Sequence, residues 1–187
     1  MTSMVQKISW FLFLIAIVQG GSGHTASAQD YPLFSEYRIA VLAADLEPGG
    51  GSDDGVAVSL ELLTPYRGAA HHSLMEHLLN PRFHVGALVH TDDGVNQAYA
   101  GLTWDYYLTD SIFVETSFGG AVHDGETDSD STDSYGCTLN FRESIGIGAD
   151  VTKSISIMAT VDHMSNADLC DENQGLTNAG VRLGYRW

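Results

Sequence analysis

Hydrophobic and polar residues alternate with a period of two along most of the chain after residue 35. This alternation is typical of strands with one apolar face. It is clearest at the end of the chain, where one row is apolar and the other is polar or glycine: Ala179, Val181, Leu183, Tyr185 and Trp187 against Asn178, Gly180, Arg182, Gly184 and Arg186. The pattern predicts eight strands, over Glu36–Asp45, Gly55–Thr64, Arg82–His90, Gln97–Leu108, Ser111–His123, Tyr135–Asp150, Ser154–Ser165 and Leu176–Trp187.

The polar rows decide which kind of barrel these strands form. They carry charged residues in several strands, namely Glu61, His84, Asp105, Glu115, Arg142 and Asp162. A soluble barrel turns its apolar rows inward, whereas a transmembrane barrel turns them to lipid and keeps a polar interior. Aromatic residues near strand ends and the final Trp187 resemble the features of bacterial outer-membrane barrels. We therefore predict an all-β, eight-stranded antiparallel transmembrane β-barrel, with a soluble barrel as the alternative.

The N-terminus differs from the rest of the chain. Lys7 precedes the apolar run Ile8–Val18, and the segment Ala26–Gln29 offers a small-residue cleavage site. The apolar run is too short to span a bilayer as a helix. We expect residues 1–28 to be a secretory signal peptide and residues 29–187 to form the barrel domain. The alternative is a membrane anchor.

Charge and metal-ligand patterns limit the possible partners. Without residues 1–28 the chain keeps seven basic against 24 acidic residues, a net charge of −17, which argues against nucleic acid as a partner. The histidines in His71–His77 could bind a metal ion, but the sequence shows no second cluster of metal ligands to complete a site. The acidic run Asp124–Asp133 lacks the spacing of a calcium-binding EF-hand loop. The sequence predicts neither a metal site nor a cofactor, and it leaves the oligomeric state open.

Cys137 and Cys170 are the two cysteines of the chain. Tight turns predicted at Leu108–Ser111 and Val151–Ser154 would face the periplasm, so the longer acidic loops would face outward. Both cysteines then lie at the outer end of the barrel, where an exported protein can form a disulfide. The alternative is two free thiols.

The seventh strand ends in residues that can carry chemistry. His163 and Ser165 continue the lipid-facing row of Ile155, Ile157 and Val161. Residues two apart on a strand face have side chains about 6–7 Å apart, which rotation can close to a hydrogen bond. A histidine base can then activate a serine hydroxyl. The plainer interpretation is two polar residues at the membrane interface.

The segment His163–Leu176, "HMSNADLCDENQGL", resembles the H-x-S-N-A-G-L…N-x-G segment of the PagL-type lipid A 3-O-deacylases. The resemblance implies an eight-stranded outer-membrane barrel that hydrolyses an ester-linked acyl chain of lipid A, without a cofactor. It implies that His163 is the general base and Ser165 the nucleophile. Asn166 and a neighbouring main-chain N–H would hold the oxyanion.

Two residues depart from the family pattern. Asp168 replaces a glycine, and Thr177 stands where the family has the acid of its triad. Glu143 lies in the lipid-facing row of the sixth strand, opposite His163 or one pair away, and we hypothesise that it orients the imidazole instead. The alternatives are an Arg142–Glu143 pair at a bulge or an inward-facing Glu143. Two loop acids, Asp171 and Glu172, are weaker candidates.

The leading prediction for function is a serine esterase that acts on lipid A in the outer leaflet. The first alternative is a non-catalytic small barrel, structural or adhesive, whose acidic loops form a binding surface. The second is a degenerate member of the family, which folds alike but is inactive because Thr177 replaces the acid.

Overall fold

The computed structural model describes residues 32–44, 46, 55–66, 74–92, 94–127 and 134–187. Residues 1–28, predicted to be a signal peptide, lie outside them. Eight antiparallel strands close into one barrel in sequence order, with the first strand paired to the last. The strands are β1 (Glu36–Ala44), β2 (Gly55–Leu63), β3 (Arg82–His90), β4 (Gln97–Tyr107), β5 (Ile112–His123), β6 (Leu139–Asp150), β7 (Ile155–Ser165) and β8 (Leu176–Arg186). The predicted eight-stranded antiparallel barrel is therefore confirmed.

The two faces of the wall have opposite chemistry. On β1, the side chains of Ile39 and Val41 are 43% and 56% exposed, whereas Arg38 on the same strand is 4% exposed. The same alternation of exposed apolar and buried positions runs along β7. Apolar residues on the outside and charged residues on the inside are the arrangement of a barrel that spans a membrane. A soluble barrel would show the reverse.

The interior is filled by paired charges. Arg38 donates from Nε to Glu36 at 2.7 Å and from Nη1 to Glu115 at 2.8 Å. Arg182 donates to the same Glu115 at 3.1 Å, and Arg82 donates to Glu36 at 2.7 Å. A buried charge is tolerated when it is paired and hydrogen bonded. The Arg38–Glu115 pair joins β1 to β5, on opposite sides of the barrel, so it helps to fix the cross-section.

We call the end with the tight turns and the C-terminus the turn end, and the other the loop end. At the turn end Tyr37 packs against Tyr185 and Trp187, with ring centroids 5.2 and 5.6 Å apart. The connection from β2 to β3 contains a short helix, α1 (Leu74–Leu79). Trp104 Nε1 donates to the carbonyl of Leu78 at 3.0 Å, which holds α1 against β4. No helix within the described ranges is long and apolar enough to cross a bilayer.

The predicted start of the sixth strand was wrong. We expected pairing from Tyr135, but β6 begins at Leu139. Gly136 has a φ of 69°, which breaks an extended strand, and the Cys137 N–H donates to the Tyr135 carbonyl at 2.8 Å. Tyr135 is instead buried at the loop end, where its ring lies edge-on to His123 with centroids 5.1 Å apart.

Candidate active site

His163 lies in register between two polar residues on neighbouring strands. In the register of the sheet, His163 pairs directly with Glu143 of β6 and with Thr177 of β8. All three are half-buried members of the outward-facing rows, near the loop end. Directly opposite residues of antiparallel strands have Cβ atoms about 4.5–5.5 Å apart. The strand register therefore brings a carboxylate, an imidazole and a hydroxyl into one row on the lipid-facing surface.

His163 and Thr177 are in direct contact. His163 Nδ1 and Thr177 Oγ1 are hydrogen bonded at 2.8 Å. A hydroxyl in this position can hold the ring and select its tautomer. It carries no charge that could stabilise a protonated imidazole. Thr177 thus occupies the position predicted from the sequence and can supply one of the two effects of a triad acid, orientation but not charge.

Ser165 is the last residue of β7 and lies two residues beyond His163 on the same face. It pairs with Phe141 of β6, whose ring stacks on Phe118 with centroids 5.8 Å apart. Sequence reasoning did not single out this aromatic pair. The signal was present, because Phe141 and Phe118 share the outward phase of their strands, but their proximity to Ser165 follows only from the register.

Asn166 begins the loop after β7 and is 2% exposed. Its side-chain nitrogen donates to the carbonyls of Tyr135 at 2.9 Å and Glu172 at 2.6 Å. Its own N–H donates to Asn173 Oδ1 at 2.8 Å. The residue named from the sequence as an oxyanion donor thus uses these N–H groups to hold the loops together, so an oxyanion role for its side chain stays a prediction.

A tight turn follows Asn166. Ala167 and Asp168 have φ values of 55° and 58°, and the Leu169 N–H donates to the Asn166 carbonyl at 3.2 Å. Glycine is favoured in this left-handed conformation, and aspartate tolerates it better than most residues. This explains how Asp168 can replace the glycine of the family motif. Its carboxylate accepts a hydrogen bond from Asn173 Nδ2 at 2.9 Å. Within the described part of the chain, the N–H groups of Ala167 and Asp168 donate to no partner.

Cys137 and Cys170 form a disulfide, as predicted. It joins the loop before β6 to the loop after β7. The same two loops are also joined where the Gln174 N–H donates to the Ser134 carbonyl at 3.0 Å. The loop that follows Ser165 is therefore tied at two points to the loop before β6.

The described residues contain no group of three or more histidine, cysteine, aspartate or glutamate side chains that could hold a metal ion. Residues 71–73 of the histidine-rich segment and residues 128–133 of the acidic run lie outside the described ranges, whereas His77 lies in α1.

Comparison with known proteins supports the fold and identifies a family. The crystal structure of the outer membrane enzyme PagL aligns with a TM-score of 0.60 at 20% identity, and it covers 82% of this chain and all of that one. A structure from the de novo design of transmembrane β-barrels aligns with a TM-score of 0.52 at 12% identity, over 86% of this chain and all of that one. No curated protein matches the sequence.

The family model described as lipid A 3-O-deacylase (PagL) matches residues 70–186. The matched region runs from the connection before β3 to the end of β8 and includes every candidate site residue. Because it covers more than half of the chain, this outer-membrane β-barrel belongs to the PagL family of lipid A 3-O-deacylases.

Proposed function

We propose that this barrel is a serine esterase that removes an ester-linked acyl chain from lipid A in the outer leaflet of the outer membrane. The observation that carries the proposal is the hydrogen bond between His163 Nδ1 and Thr177 Oγ1, on the lipid-facing surface and one pleat from Ser165. It fixes the orientation of an imidazole that lies two residues from Ser165, the proposed nucleophile, on the same strand face. The family name points to the ester at the 3-position of the sugar. We expect no cofactor and no nucleic-acid partner.

The reaction uses the two nitrogens of His163 differently. When Nδ1 carries the proton and donates to Thr177, Nε2 keeps a lone pair that can accept the proton of Ser165. The serine oxygen then attacks the ester carbonyl carbon. The bond between that carbon and the sugar oxygen breaks, and the sugar oxygen takes the proton from His163. Water, deprotonated by His163, hydrolyses the acyl-serine, which releases the fatty acid and restores Ser165.

The oxyanion formed at each step needs hydrogen-bond donors. The main-chain N–H groups of Ala167 and Asp168 are the best candidates, since they follow Ser165 closely and donate to no group among the described residues. The left-handed φ values of both residues orient two consecutive N–H groups in the same turn. In this proposal Asn166 acts by holding that turn, through its bonds to Tyr135 and Glu172.

The site requires the loop end to face the outside of the cell, where lipid A resides. We infer that residues 1–28 direct export and are removed, so that residues 29–187 form the barrel domain. The disulfide is consistent with this route, because disulfides persist in the oxidising periplasm and cell surface.

Mass spectrometry of lipid A from cells with and without this protein tests the function. Wild type should convert lipid A to a species lighter by one acyl chain, and Ser165→Ala should lower the rate at least about a thousandfold. Heat-modifiable mobility in a gel, which reports a folded barrel, should be the same for both. Lipid A that is unchanged by folded wild type would contradict the proposal.

The degenerate alternative rests on a specific observation, the missing charge at Thr177. The variant Thr177→Glu places a carboxylate at this position and tests it. A gain of about a hundredfold or more over wild type would mean that the wild-type site has lost its acid and with it most of its activity.

A further inference from the structure

The outward-facing rows of the eight strands are almost free of ionisable groups other than tyrosine. Within these strands, Glu143 is the one carboxylate and His163 the one imidazole that face outward. The two are paired directly across β6 and β7. A carboxylate on a lipid-facing surface is unfavourable unless it has a partner or a function. Two such groups placed opposite each other by chance would be an unusual outcome.

The residues around Glu143 are apolar, which strengthens the electrostatic effect of its charge on a neighbouring group. On its other side it pairs with Phe118 of β5, whose ring stacks on Phe141. Within β6 its neighbours in the outward row are Phe141 and Ile145. Apolar groups on three sides lower the local dielectric, so a charge there acts on its neighbour more strongly than in water.

We propose that Glu143 is a positioning residue whose negative charge stabilises the imidazolium of His163 during both proton transfers. This role rests on the proposed esterase function. Thr177 and Glu143 then divide between two strands the work that one acid does in other hydrolytic triads. Thr177, bonded to Nδ1, selects the tautomer. Glu143, on the neighbouring strand across from Thr177, supplies the charge that a threonine lacks.

The alternatives raised by the sequence are less compatible with the fold. Arg142 faces the interior, where its Nη2 lies 3.2 Å from Asp162 Oδ2, so it is not turned outward toward Glu143. Glu143 itself faces outward. Among the loop acids, Glu172 is tied to Asn166 through its carbonyl, and Asp171 is exposed.

The test compares purified, folded variants acting on lipid A in mixed micelles, with kcat and KM measured separately. Glu143→Gln, which keeps the shape and removes the charge, should lower kcat roughly 30- to 100-fold and leave KM nearly unchanged. Glu143→Asp should keep more of the rate than Glu143→Gln. Asp110→Asn removes one exposed charge from the turn between β4 and β5 and is the control, with kcat expected to equal that of wild type.

Relocating the charge separates an electrostatic role from a structural one. In the double variant Glu143→Gln/Thr177→Glu the carboxylate stands on the opposite side of the imidazole, and we expect kcat to recover at least tenfold over Glu143→Gln alone. A purely structural role for Glu143 would not respond to a charge placed on β8.

The outcomes distinguish the two proposals. A Glu143→Gln enzyme that retains kcat within twofold of an active wild type overturns the role of Glu143 and leaves the esterase proposal intact. If folded wild type releases no more fatty acid than Ser165→Ala, both proposals fail, because there is no imidazolium for Glu143 to stabilise.

Discussion

The strands β6 and β7 carry one acid–base pair on each face of the barrel wall. Inside, Arg142 lies 3.2 Å from Asp162, and both side chains are 1% exposed. Outside, Glu143 pairs with His163 in the adjacent register position, and both are half-buried. The inner pair has further fixed partners, with Asp162 accepting from Asn178 at 3.0 Å and Arg142 lying 3.8 Å over the ring of Tyr99.

This difference separates a structural role from a chemical one. The inner arginine is always charged, so its pairing cannot change during a reaction. In the proposed reaction the outer histidine gains and loses a proton, so the charge of its partner has a different effect on each state. On this proposal, the same two strands hold a permanent ion pair inside the barrel for folding and, outside, a pair whose charge changes during catalysis.

The largest expected effect comes from breaking the inner pair. Asp162→Asn leaves the guanidinium of Arg142 buried without its carboxylate, and we expect a loss of about 3–5 kcal/mol in the free energy of unfolding. Urea unfolding in detergent or lipid, followed by tryptophan fluorescence, measures it. Activity per folded molecule should remain near that of wild type, the opposite of Glu143→Gln. A variant that stays equally stable but loses kcat would contradict the comparison.

A smaller effect is expected from the disulfide, which joins the loop before β6 to the loop after β7. The double variant Cys137→Ser/Cys170→Ser opens a link between residues 33 apart. Loop-closure entropy of that size corresponds to roughly 3–4 kcal/mol, an upper estimate because the hydrogen bonds of Asn166 and Gln174 remain. We expect a lower thermal midpoint and a kcat reduced about tenfold, since the turn after Ser165 becomes less rigid. Unchanged kcat would mean that the hydrogen bonds alone hold the turn.

The smallest effect is expected at Phe141, which pairs with Ser165 on the lipid side. An acyl chain esterified to Ser165 would lie against this ring, so Phe141→Ala should raise KM a few-fold with little change in kcat. Phe83→Ala, which removes an exposed aromatic side chain from β3, is the matched control. Equal KM values for the two variants would show that Phe141 contacts bulk lipid rather than substrate.

The alternation of apolar and polar residues in the sequence was sufficient to predict which face of each strand points outward. The apolar row and the polar row of β8 predicted which face of the barrel wall points to lipid. Glu143, His163 and Thr177 each alternate in step with the apolar residues of their strand, which predicted that all three face outward. Alternation alone left the register open by one pair, because a shift of two residues keeps every side chain on its face. The register found places Glu143 directly opposite His163.

The loop contacts could not be predicted in this way. The bond from Asn166 to the Tyr135 carbonyl joins residues 31 positions apart, in loops without periodic pattern. Likewise, the late start of β6 depends on the left-handed Gly136 and on the burial of Tyr135. Both depend on how two loops pack, which no local pattern specifies.

The outward position of His163 and Ser165 has a kinetic consequence. Since the interior is filled by ion pairs such as Arg38 with Glu115, substrate would reach the site by lateral diffusion within the leaflet. The relevant concentration is then the mole fraction of lipid A in the membrane rather than its amount per volume. Diluting the substrate with inert detergent at constant bulk concentration should slow the reaction, as expected for an enzyme that works in two dimensions.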